Sequence, residues 1–239
     1  MSLPTLVLVP GLMCDAAVWA PLLPSLSAHH HCVVADHGDS DSLPEMAQRL
    51  LAAAPEQFAL AGHSMGGRVA LEVCRLAPQR VSHLALMDTG HSARAAGAAG
   101  DAEASKRQAL LSMARAQGLR AMATEWVQGM VHPQRLADQA LIAAILDMFE
   151  RKTADIFEQQ IRALLSRPDA TTVLERLTMP TLVQCGRQDS WANVAQHQAL
   201  QALAPHAQLD IIEDAGHMAP MEQPGAVAGS LLRWLGVHA

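Results

Sequence analysis

Phe58-Ala59-Leu60-Ala61-Gly62-His63-Ser64-Met65-Gly66-Gly67-Arg68-Val69-Ala70-Leu71 is the stretch whose reading decides the fold. Its first four residues form a short apolar run of the kind a buried parallel strand shows, and Val69 to Leu76 carries helical periodicity. Between them stands G-x-S-x-G, a common pattern that acquires a mechanism in this strand-to-helix context. The sharp turn predicts a strained backbone at Ser64, with Gly62 and Gly66 leaving room for the chain to reverse. The hydroxyl should then stand clear of the sheet, above a helix N-terminus that favours negative charge at a reacting centre. The alternative is a serine that merely tightens a turn.

Outward from this stretch, strands are expected at Thr5–Val9, Cys32–Ala35, Leu84–Met87, Thr181–Cys185 and Leu209–Ile212. Ala16 to Ser27 reads as loop and helix. Further helices are expected from Leu43 to Ala54, near 192–204 and from Gly225 to Leu235. Ser42 is a plausible N-cap for the helix at Leu43, with Glu45 at capping-box spacing. From His91 to Arg167 the strand signals stop, and helical periodicity marks segments near 101–117, 119–130, 135–149 and 153–166. Alternating strand and helix predicts a parallel α/β sheet with right-handed crossovers, so 1–90 and 168–239 should form the core and 91–167 a helical cap. The alanine-rich patch Ala93 to Ala104 reads as a flexible lead-in to that cap.

Composition narrows the chemistry. Half of the 239 residues are hydrophobic but only 3% are aromatic and Tyr is absent, so Leu, Ala, Val and Met must pack the core and a Tyr general acid is excluded. A net charge of -6 argues against a nucleic-acid or anionic-membrane partner. Cys14, Cys32, Cys74 and Cys185 are scattered singly, as buried small hydrophobes in a reducing compartment would be. The N-terminal residues lack an export signal, and no run approaches the roughly 20 apolar residues of a membrane span, so a soluble, cytoplasmic protein is expected.

Groups that act together on a parallel sheet collect beyond the carboxyl ends of its strands. A serine hydroxyl needs a base, and the base needs an orienting acid. His217 follows the Leu209 strand within Asp214-Ala215-Gly216-His217-Met218, and Asp189 follows the Thr181 strand within Gly186-Arg187-Gln188-Asp189. Asp88 also ends a strand and competes with Asp189, while Asp214 reads as a turn residue. His29-His30-His31 has no ligand partner at metal spacing and reads as a solvated turn, as do Asp36, Asp39 and Asp41. A tetrahedral oxyanion would need two backbone donors, expected on Met65 and on Leu12 in the turn Pro10-Gly11-Leu12-Met13.

These motifs resemble the α/β-hydrolase superfamily, specifically its capped esterase and lactonase type. The resemblance lies in Val9-Pro10-Gly11 with Trp19, in Gly62 to Gly67, in Pro180 to Val183 with Gly186 to Asp189, and in Asp214 to His217 followed by Pro220 and Glu222-Gln223-Pro224. It covers nearly the whole chain outside 91–167. His-Gly usually stands where Pro10-Gly11 stands here, and the family's Pro-Gly-x-Gly loop is replaced by Asp36 to Ser42. Members commonly begin with two further strands, whereas this chain reaches the oxyanion strand by Thr5, so a sheet of six parallel strands is expected. A Ser elbow separates the chain from epoxide hydrolases and haloalkane dehalogenases, which carry aspartate there.

The resemblance implies a Ser64–His217–Asp189 serine hydrolase acting on small or medium apolar esters, lactones or thioesters, with no metal or organic cofactor. Two other readings stay open: a C–C bond hydrolase with the same triad, or a non-catalytic small-ligand receptor. Met13, Trp126, Met130, Trp191 and Met218 are the expected pocket residues. Most cap apolars, among them Met113, Met122, Met148 and Phe149, should simply hold cap to core. Arg68, Arg94 and Arg187 could hold an acidic substrate but read more simply as surface or helix-pairing residues. Oligomeric state leaves no mark in the sequence.

Overall fold

A computed structural model describes residues 3–237. In chain order the elements are β1 (Thr5–Val9), α1 (Leu23–Leu26), β2 (His31–Val34), α2 (Leu43–Ala53), β3 (Phe58–His63), α3 (Met65–Leu76) and β4 (Val81–Met87). The helical stretch then supplies α4 (Ala98–Gln117), α5 (Leu119–Trp126), α6 (Gln139–Glu150) and α7 (Ala154–Leu165). After α8 (Thr171–Leu174) the alternation resumes with β5 (Thr181–Gly186), α9 (Val194–Leu203), β6 (Gln208–Ile212), α10 (Ala219–Glu222) and α11 (Pro224–Trp234). The six strands form one sheet in the order β2-β1-β3-β4-β5-β6, and every ladder is parallel.

Burial explains the strand sequences. β3 and β5 are buried at every residue, as central strands covered on both faces must be, whereas the edge strand β2 alternates between exposed and half-buried positions. The chain direction across the sheet reverses between β1 and β3, the switch point where the carboxyl ends of parallel strands open a crevice. Register brings Val9 opposite Gly62, His63 opposite Met87 and Gly186 opposite Ile212, so the loops leaving these strands start at one level.

Several local expectations shift. β4 starts three residues before Leu84, and β2 begins at His31. The histidine tract is therefore no solvated turn throughout: His30 is buried and the His31 N–H donates to Pro4 O at 2.9 Å. Asp36, Asp39 and Asp41 are exposed, but His37 between them is buried and its Nε2 donates to Pro10 O at 2.9 Å. Ser42 caps α2 by accepting from the Glu45 N–H, without a return bond from the Glu45 side chain. The alanine-rich patch is helical from Ala98, where α4 begins after Gly97 at a φ of 64°. Ends of the second and third helical segments tighten into 3-10 turns at Val127–Gly129 and Pro133–Ala137.

Candidate active site

Ser64 sits between β3 and α3 with φ 56° and ψ -118°, a conformation L-residues avoid. Two close approaches explain the flanking glycines: a Cβ on Gly62 would lie 2.3 Å from Gly66 O, and one on Gly66 would lie 2.1 Å from Val9 O. Ser64 N–H donates to Met87 O at 2.8 Å and Thr89 Oγ1 donates to Ser64 O at 2.7 Å, so the strained residue is tied to the β4 end on both sides.

His217 Nε2 lies 2.8 Å from Ser64 Oγ, and its Nδ1 lies 2.7 Å from Asp189 Oδ2. A carboxylate only accepts, so Nδ1 carries the proton and Nε2 is left to accept from the serine hydroxyl. Asp189 Oδ1 accepts from the N–H groups of Trp191 (2.8 Å) and Ala192 (2.9 Å). Burial would raise the Asp189 pKa, but His217 and these two N–H donors outweigh it and hold the carboxyl down at about 2. Asp88, the competing acid, does not hydrogen-bond to His217. Its Oδ1 accepts from Gly186 N–H at 2.9 Å, and burial followed by the charge of Asp189 pushes its pKa well up. Beneath the ring, His63 Nε2 donates to His217 O at 2.7 Å, and burial with His217 beside it pushes the His63 pKa down to about 3.

The turn after β1 is held from two directions. His37 takes the Pro10 carbonyl, and Gln160 on α7 accepts the Met13 N–H at 2.8 Å, with Met13 itself at a φ of 61°. Among the described residues neither the Leu12 nor the Met65 N–H donates to another protein group. Asp214, at a φ of 55°, is a turn residue, as its sequence context suggests.

A cavity of about 300 Å³ opens on Ser64 and His217, and Trp126, Met130, Trp191 and Met218 line it. Met13 does not. Its side chain is fully buried, and its N–H is bound by Gln160. Phe149, expected to join cap to core, lines the cavity instead. Trp191 stacks on Trp126 at 5.6 Å and lies 5.0 Å from the His217 ring. Arg187 pairs with exposed Glu213 and Arg94 donates to Gly100 O, whereas Arg68 lines the cavity.

Three residues carry positions that the sequence reading left without a role. Glu222 is buried and accepts from Gly216 (2.9 Å), Met218 (3.2 Å) and His132 (2.7 Å), clamping the histidine loop to the helical segment. Gln160 lies on the buried stripe of α7 with Phe157 and Leu164, and a polar residue on an apolar stripe is the signal that could have singled it out. His37 offered no such signal.

A sequence profile described as the alpha/beta hydrolase family matches residues 6–230. The dihydrolipoyllysine-residue acetyltransferase component of the acetoin cleaving system of Pseudomonas putida is 30% identical over 98% of this chain, which spans 64% of that protein's length. The pimeloyl-[acyl-carrier protein] methyl ester esterase of Aliivibrio salmonicida is 29% identical over 89% of this chain and 84% of its own. Among solved structures, a thermophilic esterase from Thermogutta terrifontis with malate bound superposes with a TM-score of 0.87 at 25% identity, covering 100% of this chain and 92% of that one.

Proposed function

This chain belongs to the alpha/beta hydrolase family, and from that premise we propose that it is a serine hydrolase cleaving small or medium apolar carboxylic esters through an acyl-enzyme. The observation that carries the reading is the unbroken chain Ser64 Oγ, His217 Nε2, His217 Nδ1, Asp189 Oδ2, with links of 2.8 and 2.7 Å.

In this reading Ser64 Oγ attacks the ester carbonyl as its proton passes to His217 Nε2. The carboxylate of Asp189 fixes the ring tautomer and offsets the imidazolium charge. The Met65 and Leu12 N–H groups, both without protein acceptors among the described residues, receive the oxyanion, where preorganised donors act most strongly. Collapse expels the alcohol, which takes its proton from His217. Water then attacks the acyl group by the same route, releasing acid and restoring Ser64. Residues 91–167 act as a cap whose aromatic and thioether side chains shape the acyl site. A volume of about 300 Å³, at the small end for ligand pockets, and the lining by Trp126, Met130, Phe149 and Met218 support modest apolar groups. The esterase names of two relatives point the same way.

The test is hydrolysis of p-nitrophenyl esters from acetate to palmitate by the parent, Ser64→Ala and His217→Ala proteins. Turnover confined to the parent and to short and medium chains is the expected result. No turnover on any chain, or equal residual rates in all three proteins, would overturn the reading.

A further inference from the structure

The cavity over Ser64 has a cationic end. Arg68, Lys106 and Arg107 line it, with Glu103 as the carboxylate on that side and Asp88 buried beneath the histidine. Glu103 is already engaged. Its Oε1 accepts from Arg167 Nη1 at 2.6 Å and Arg107 Nη2 at 3.0 Å, and its Oε2 accepts from Arg167 Nη2 at 2.9 Å. One carboxylate thus serves two guanidinium groups, and Arg68 is left over. Arg68 Nη1 donates to Ser92 O at 2.9 Å, while Nη2 and Nε have no protein acceptor among the described residues.

An arginine in this position carries an unmet demand for an anion. Partial burial removes water from the guanidinium, and the neighbouring cations repel it. Burial, with Arg167 second, pushes its pKa down to about 9, so the neighbourhood does not offset the lost hydration. A carboxylate would answer both costs through the fork geometry that guanidinium presents. Placement completes the argument. Arg68 is the fourth residue of α3, the helix that starts directly after Ser64, and both residues line the same cavity. The same cavity offers Leu110, Phe157 and Leu164 as apolar wall.

We propose that Arg68 forms an anion subsite, and that the substrate is an ester whose acyl chain ends in a carboxylate: the carbonyl sits at Ser64, the methylenes lie on the apolar wall, and the far carboxylate takes the free Arg68 donors. The proposal rests on the ester-hydrolase reading for its turnover test, and on Arg68 alone for its binding test.

The turnover test compares the half methyl esters of succinic through suberic acid with the dimethyl esters of the same acids. The parent should favour the half ester at one chain length. Arg68→Met should lower the half-ester to diester ratio of kcat/KM about 20-fold, the scale of a charge-assisted bidentate contact, and Arg68→Lys should restore part of it. Where Arg68→Met does not fold, Arg68→Gln keeps a donor for Ser92 O and carries the same expectation. A ratio that stays within about twofold of the parent would overturn the subsite while leaving the esterase reading standing. If the parent hydrolyses neither series, the p-nitrophenyl series decides the esterase reading, and isothermal titration with the free dicarboxylates decides the subsite. Binding weakened about tenfold by the Arg68 change supports it, whereas no binding, or equal binding to both proteins, overturns it.

Discussion

The loops at the carboxyl edge of the sheet and the helical segment between β4 and β5 face the same cavity, yet different forces hold them. The loops are fixed by buried backbone bonds that hold strained residues in place: Ser64, Asp88 and Asp214 all have positive φ, and each sits just past a strand end. The helical segment is held by an apolar seam that includes Leu111, Met122, Ile145, Phe149, Phe157 and Ile161. Exposed ion pairs such as Arg120–Asp147 and Arg120–Glu150, both 2.8 Å, decorate its outside. The two regions meet through a few polar contacts: Gln160 to Met13, Glu222 to His132, His217 N–H to Met130 O and Arg151 to Asp15. The sheet edge carries the candidate catalytic groups, and the helical layer touches that edge through these few polar contacts.

If this division is right, substitutions should rank by region. Largest is Asp189→Asn, which should lower kcat on a short p-nitrophenyl ester by about 10³ to 10⁴. Asp88→Asn, with its acceptor for Gly186 N–H kept, should cost less than about tenfold. Equal losses would mean that the two buried acids act as one unit.

The next prediction crosses between the regions. Gln160→Leu removes the acceptor for Met13 N–H and frees the turn that carries Leu12, so kcat should fall about 10- to 100-fold with KM little changed. Gln160→Glu keeps an acceptor at that place and should recover most of the loss. A Gln160→Leu protein that loses stability but keeps its kcat would show that the helical layer merely covers the edge.

Acid stability sharpens the comparison from below. His63 has a folded pKa of about 3 against 6.5 unfolded, so between these values the unfolded chain binds the extra proton. Stability therefore falls as pH drops from 6.5 toward 3, by up to ~1.4 kcal/mol per pH unit for this one group. Asp189 acts lower: its depressed pKa contributes stability that is present above 3.8 and lost as pH falls toward 2. Chemical denaturation of His63→Gln against pH should give a shallower acid limb than the parent, and an unchanged slope would remove His63 from the account. Smallest is Arg120→Ala on the outer face, expected to leave Tm within a few degrees of the parent and kcat unaffected.

Sequence by itself determined the sheet and placed Ser64, His217 and two competing acids, Asp189 and Asp88, just beyond its strand ends. Six apolar runs, most of them bounded by Gly, Pro or Asp, placed the strands to within three residues, and the Gly62–Gly66 turn, Asp189 and His217 each stood just beyond one of them. Local pattern suffices there because strand burial and tight-turn sterics are properties of a few neighbouring residues. Tertiary structure decided what depends on residues far apart in the chain. It chose Asp189 over Asp88 as the partner of His217, a matter of which strand end meets the histidine loop. It buried Met13 and brought Gln160 to its N–H across 147 residues, left Arg68 without a carboxylate among the described residues while Glu103 served two other arginines, and turned His37 inward from an acidic loop. Each of these outcomes depends on how the helical layer packs on the sheet, and packing is a sum over non-local contacts that no short window of sequence contains.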